Sequence, residues 1–168
     1  MAYEIKIEIP IQSYLKKMIQ FYVPVEPMNI QQMNCQYSSL IYLSLQRQGF
    51  TNKRPQAQQK YNAALMVKLN QELVNENRFF IDDRRLSYID SQLRNIFEQK
   101  LIDFLLFNAA EKGDLKKLCV AFLHKYEIEE HEISVDALIK KYQRWRESKG
   151  VKLNYRSKKK LNEPSLFE

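Results

Sequence analysis

Glycine is scarce in this chain: three residues in 168, beside five prolines, two cysteines, two histidines and one tryptophan. So few glycines leave little room for tight hairpins or a glycine-rich phosphate loop. That argues against an all-β sandwich, a collagen-like chain and a P-loop nucleotide site. Two lone cysteines, Cys35 and Cys119, make no disulfide framework and predict a reducing, cytoplasmic setting. No apolar run approaches the ~18 residues needed to cross a bilayer, so no membrane partner is expected. Met1, Ala2, Tyr3 and Glu4 also lack the basic and apolar regions of a secretory signal.

Signatures of catalysis are missing as well. There is no HExxH, no serine-centred elbow and no glycine-rich loop, so the reading is non-enzymatic, with no catalytic residue, cofactor or small-molecule substrate. Cys119, His124 and His131 are spaced C-x4-H-x6-H, and only remote Cys35 could complete four ligands. That spacing lacks the paired character of a structural zinc site, and no metal is expected. Asp82 and Asp83 could bind a cation through their carboxylates, but Arg84 and Arg85 compensate them, and a solvated turn is the expectation.

What the chain has is charge, unevenly placed. The formal net charge is +7, yet Lys140 to Lys160 holds ten bases against the single acid Glu147. The rest of the chain carries 17 bases and 19 acids, so the whole basic excess belongs to one helix end and the tail behind it. Such a field attracts a polyanion, most commonly nucleic acid.

Hydropathy patterning outlines the fold. Ile5, Ile7 and Ile9 alternate with Lys6 and Glu8, which predicts a half-buried strand closed by Pro10. Ser13 is the expected cap of a short helix to about Tyr22, ended by Pro24 and Pro27. A helix is predicted from Ser38 to Gln48 with Gly49 as its C-terminal cap, then an exposed loop from Thr51 to Lys60. Residues 61–70 alternate and read as a second strand pairing with the first, with helix as a competitor. Ser87 and Asp90 resemble a capping box opening a long helix that carries Ile89, Leu93, Ile96, Phe97, Leu101, Phe104 and Leu105 on one face. Gly113 should break the chain there. Asp114 can then cap a helix bearing Leu115, Leu118, Phe122 and Tyr126, and Ser134 a last one bearing Val135, Leu138, Tyr142 and Trp145.

The expected fold class is therefore α+β and mostly helical, divided into an N-terminal strand-containing part (1–80), a C-terminal three-helix unit resembling a helix-turn-helix (81–150) and a basic flexible tail (151–168). In the three-helix unit Leu138, Tyr142 and Trp145 face inward, leaving Lys140, Lys141, Gln143, Arg144 and Glu147 toward solvent. Arg and Gln can bond base edges in the major groove while Lys neutralises phosphate. The candidate nucleic-acid contacts are Lys140, Lys141, Gln143, Arg144 and Lys149 on the helix, with Lys158, Lys159 and Lys160 in the tail. The connection EIEEHEI is longer than the three or four residues of a compact helix-turn-helix. Tyr155, among Lys152, Arg156 and Lys158, could stack on an unpaired base.

Two stretches, IEIPIQSYLKKMI and AFLHKYEIEEHEISVDALIKKYQRWR, resemble small basic proteins carried by bacterial phages and other mobile elements. The resemblance implies a bacterial or phage-infected cytoplasm and a role in DNA transactions, and it carries over no functional residue. The leading expectation is a non-enzymatic DNA-binding regulator or accessory factor whose partner is double-stranded DNA. RNA fits the same composition. The alternative is a protein-interaction or assembly component of a phage or mobile element, including a homodimer formed through the N-terminal strand edge.

Overall fold

The computed structural model describes residues 5–30, 35–47, 61–109 and 114–150. The fold is α+β and mostly helical. Strand β1 (Lys6–Ile11) leads into helix α1 (Ser13–Tyr22), and the alternation read from the sequence is the reason: Ile9 and Ile11 are buried while Lys6 and Glu8 face solvent. Residues Ala63–Lys68 form the central strand, antiparallel to β1 with Ile7 opposite Val67 and Ile9 opposite Leu65. Strand thus prevails over helix at 61–70, because pairing with β1 buries Leu65 and Val67 together.

Numbered in chain order, β2 is Met28–Asn29, α2 Gln36–Ser44, β3 Gln46–Arg47 and β4 the central strand Ala63–Lys68. After it come α3 (Gln71–Asn75), β5 (Arg78–Phe80), α4 (Asp83–Ala109), α5 (Leu115–Lys125) and α6 (Val135–Ser148). The main sheet has the order β1-β4-β2, with β2 parallel to β4; β3 and β5 make a separate antiparallel pair.

Four local expectations are corrected. Pro10 does not close the first strand: it stands opposite Ala64 within the ladder, and β1 runs on to Ile11 opposite Ala63. Ser13 is the first residue of α1 and not its cap. Its N–H donates to Asn62 Oδ1 at 2.8 Å, so a side chain just before β4 satisfies a helix-start donor that no local residue reaches. Helix α2 is earlier and shorter than Ser38–Gln48, because Gln46 and Arg47 leave it to pair with β5; Gly49 and the loop 51–60 lie outside the described residues. Helix α4 starts a turn before Ser87. The Arg85 N–H donates to Asp82 Oδ1 at 2.8 Å, and Gln46 Nε2 donates to the other carboxylate oxygen at 2.8 Å. Asp82 is therefore a cap and a tie to β3 rather than part of a solvated turn. The Arg85 N–H, then Gln46, hold its carboxyl below the usual range. Asp90, the other half of the supposed capping box, is buried and paired with Arg94 at 3.1 Å.

The last two helices start where the sequence places them. Asp114 accepts from the Lys116 N–H at 3.0 Å, and Ser134 Oγ from the Ala137 N–H at 3.2 Å. Gly113 lies outside the described residues. Helices α4, α5 and α6 pack on one another through Phe97, Leu101, Phe122 and Leu138, all essentially inaccessible. The same buried cluster continues to Leu15 and Ile19 of α1, Ile41 of α2 and Val67 of β4.

Candidate nucleic-acid interface

Helix α6 is held rigidly. Val135, Leu138 and Tyr142 are buried at helical spacing, and Trp145 stacks on Tyr142 with ring centroids 5.8 Å apart. Lys149 closes the helix through its N–H to the Trp145 carbonyl at 3.1 Å, and Gly150 follows with φ of 64°. That left-handed geometry, which a side chain would strain, makes Gly150 the stop.

This anchoring turns Lys140, Gln143 and Arg144 outward together, at the i, i+3, i+4 positions of one face, with Glu147 continuing it. Lys149 is also exposed, and among the described residues none of Lys140, Arg144 and Lys149 has an ion-pair partner. Lys141 departs from the expectation. It is half-buried and paired with Glu98 of α4, so its ammonium fastens α6 to the bundle. Lys158, Lys159, Lys160 and Tyr155 lie outside the described residues.

The opposite end of α6 is acidic. The connection from Tyr126 to Ser134 carries Glu127, Glu129 and Glu130 in exposed positions, and Asp136 stands in the first helical turn. The loop is not loose. Glu132 is largely covered and receives a 2.6 Å bond from Lys17 Nζ of α1, while its carboxylate also accepts from the Glu129 N–H at 2.9 Å. Burial alone would push the Glu132 carboxyl up; the Lys17, Ser13 and Glu129 donors outweigh it and hold the group below its usual value. A shallow cleft of about 550 Å³ lies here between Val120, His124, Glu127, Ile128 and Val135. One end of the helix thus presents Arg144 and Lys149, without an ion-pair partner among the described residues, and the other repels phosphate.

A second group of side chains was not foreseen. Phe21 and Tyr22, at the end of α1, are half-exposed and meet Tyr126, with a 2.9 Å bond between the Tyr22 and Tyr126 hydroxyls. Lys125 Nζ lies 5.8 Å from the Phe21 ring centre and 5.4 Å from that of Tyr126. Burial, then the bond to Tyr22, raises the Tyr126 phenol above its usual value, and burial pushes that of Tyr37 up to about 12. In sequence the only local sign is the aromatic pair closing α1; its partner is 104 residues away.

The cysteine–histidine spacing does not converge into a ligand set. Cys119 is buried with its thiol pushed up to about 11 by desolvation, and His131 stands exposed, 3.2 Å from Glu129. Among the described residues no group of three or more His, Cys, Asp or Glu is placed to hold a metal ion. None of their helices is long and apolar enough to cross a membrane. The chain matches no family model, no curated protein and no solved structure.

Proposed function

We propose that the chain is a non-enzymatic DNA-binding protein, a regulator or accessory factor, that grips the duplex with the exposed face of α6 from Lys140 onward and the basic segment behind it. One observation carries the reading: Lys140, Gln143 and Arg144 are exposed on a helix fixed by Leu138 and Tyr142, Lys149 is exposed at its C-cap, and Lys140, Arg144 and Lys149 have no ion-pair partner among the described residues. Elsewhere several bases are neutralised locally, as in Lys16–Glu26, Lys17–Glu132 and Arg94–Asp90. The bases run on in sequence into Lys152, Arg156 and Lys158 to Lys160, so that from Lys140 to Lys160 Glu147 is the single acid among ten bases. Such a stretch binds by neutralising phosphate and releasing counterions.

The module is helix-turn-helix-like in its order of helices, but its docking differs from the usual one. A recognition helix ordinarily reads bases with its N-terminal residues. Here that end carries Asp136 and the acidic connection, so Arg144 and Gln143 take the base edges and the lysines take phosphate. Lys141 acts through position, keeping α6 seated on Glu98.

The test is fluorescence anisotropy of a labelled mixed-sequence duplex, titrated with the parent and with Lys140→Ala/Arg144→Ala/Lys149→Ala at two salt concentrations. Salt-sensitive binding that the triple substitution weakens is expected. Equal binding by the two proteins, or none by the parent at low salt, rejects the reading. Tighter binding to single-stranded DNA or RNA of the same sequence would reassign the partner.

A further inference from the structure

The backbone of β1 has an unused side. In the β1–β4 ladder the Leu69 N–H donates to the Ile5 carbonyl at 3.0 Å, and the register continues with Ile7 opposite Val67 and Ile9 opposite Leu65. In an antiparallel pair the residues that exchange both bonds alternate. The odd-numbered residues of β1 therefore point their main-chain groups at β4, while Lys6, Glu8 and Pro10 point theirs away. Because the sheet order is β1-β4-β2, that side is an open edge among the described residues. Within the same residues neither Lys6 nor Glu8 has a hydrogen bond or ion pair on it. Pro10 sits where its missing N–H costs no ladder bond.

We propose that this edge is a dimerisation surface: two copies of the chain pair antiparallel, β1 to β1, centred on Ile7, and join their sheets into one. In that register Lys6 of each copy lies opposite Glu8 of the other. Each such pair exchanges two main-chain hydrogen bonds and places opposite charges side by side. Neighbouring registers are worse for a stated reason. Centring on Lys6 or on Glu8 sets like charges face to face, and centring on Glu8 also sets Lys6 against Pro10, which has no N–H to give.

A further feature of β1 points to the same segment. Burial is graded along the strand: Ile9 and Ile11 are 1% exposed, whereas Ile5 and Ile7 are only partly covered. Pairing about Ile7 brings the two Ile7 side chains together on one face and covers what remains. The edge is short, so the dimer is weak and concentration-dependent.

Sedimentation equilibrium of the full chain, without nucleic acid, from about 10 µM to about 1 mM tests this. A reversible dimer is expected. K6E and E8K should each weaken it about tenfold, and an equimolar mixture of the two should recover the parent's association, because each then faces its opposite charge. E8P removes the outward N–H together with the carboxylate that faces Lys6 of the other copy, and should be monomeric with an unchanged circular dichroism spectrum. A parent that stays monomeric, or variants that all dimerise like it, overturns the proposal. A mixture that fails to recover the dimer overturns the register.

Discussion

Lys17 and Glu132, 115 residues apart, meet at 2.6 Å and tie the first helix to the loop that feeds the last. The Glu132 side chain is 4% exposed and that of Lys17 30%, so the contact is closer to a buried pair than to a surface one.

Removing Lys17 leaves a covered carboxylate with its main counter-charge gone. Lys17→Ala should cost about 1–2 kcal/mol, and Glu132→Gln less, since the amide keeps an acceptor. Urea unfolding of both and of the double variant measures the coupling. The pair is also acid-sensitive. Because the Glu132 carboxyl lies below its ordinary 4.5 in the folded chain, its contribution is complete above that value and is lost as pH falls through the folded pKa. Glu132→Gln should flatten the acid limb of the stability curve; an unchanged limb contradicts the assignment.

Asn62 bonds reciprocally with the start of α1, accepting from the Ser13 N–H at 2.8 Å and donating to Ser13 Oγ at 3.2 Å. Asn62→Ala should destabilise by about 1 kcal/mol, the scale of removing a helix cap. Asn62→Asp keeps the acceptor at a helix N-terminus and should stay close to the parent. Thermal unfolding of the two variants distinguishes them.

Thiol chemistry should separate the cysteines. Cys35 is partly exposed at the start of α2, whereas Cys119 is buried and its thiol is pushed up to about 11. A chromogenic disulfide reagent should label one thiol in the folded protein and the second only on unfolding. Fast labelling of both would mean that α5 does not pack as described.

If the proposed DNA-binding residues are right, tail and helix differ in what they contribute. Alanine at Lys158, Lys159 and Lys160 should weaken binding to every sequence and lower the logarithmic salt slope by about 0.9 for each phosphate no longer neutralised. Arg144→Ala should instead relax preference among sequences by about 1–3 kcal/mol at the position it reads. Titrations against a specific and a scrambled duplex at several salt concentrations separate the two.

Much of the fold was legible because its signals are local. The isoleucine alternation marks β1, and Asp114 and Ser134 mark the starts of α5 and α6. Strands of two or three residues, such as β2, β3 and β5, are too short to show a period and exist only through their partners. Ser87 and Asp90 imitate a cap, while the real one, Asp82, is masked by the arginines that follow it. For the candidate interface, helical period puts Lys140, Gln143 and Arg144 on the outer face. It could not tell that Lys141 turns to Glu98, since nothing near either residue in sequence signals that meeting.

Helix α4, 27 residues and about 40 Å long, touches α1 and α2 as well as α5 and α6. It works as a common spine rather than as a member of either half. Heating should therefore melt strands and helices in a single calorimetric transition. Cutting the chain before α4 would strip Leu86, Ile89 and Leu93 of neighbours on one side and leave neither piece a closed core.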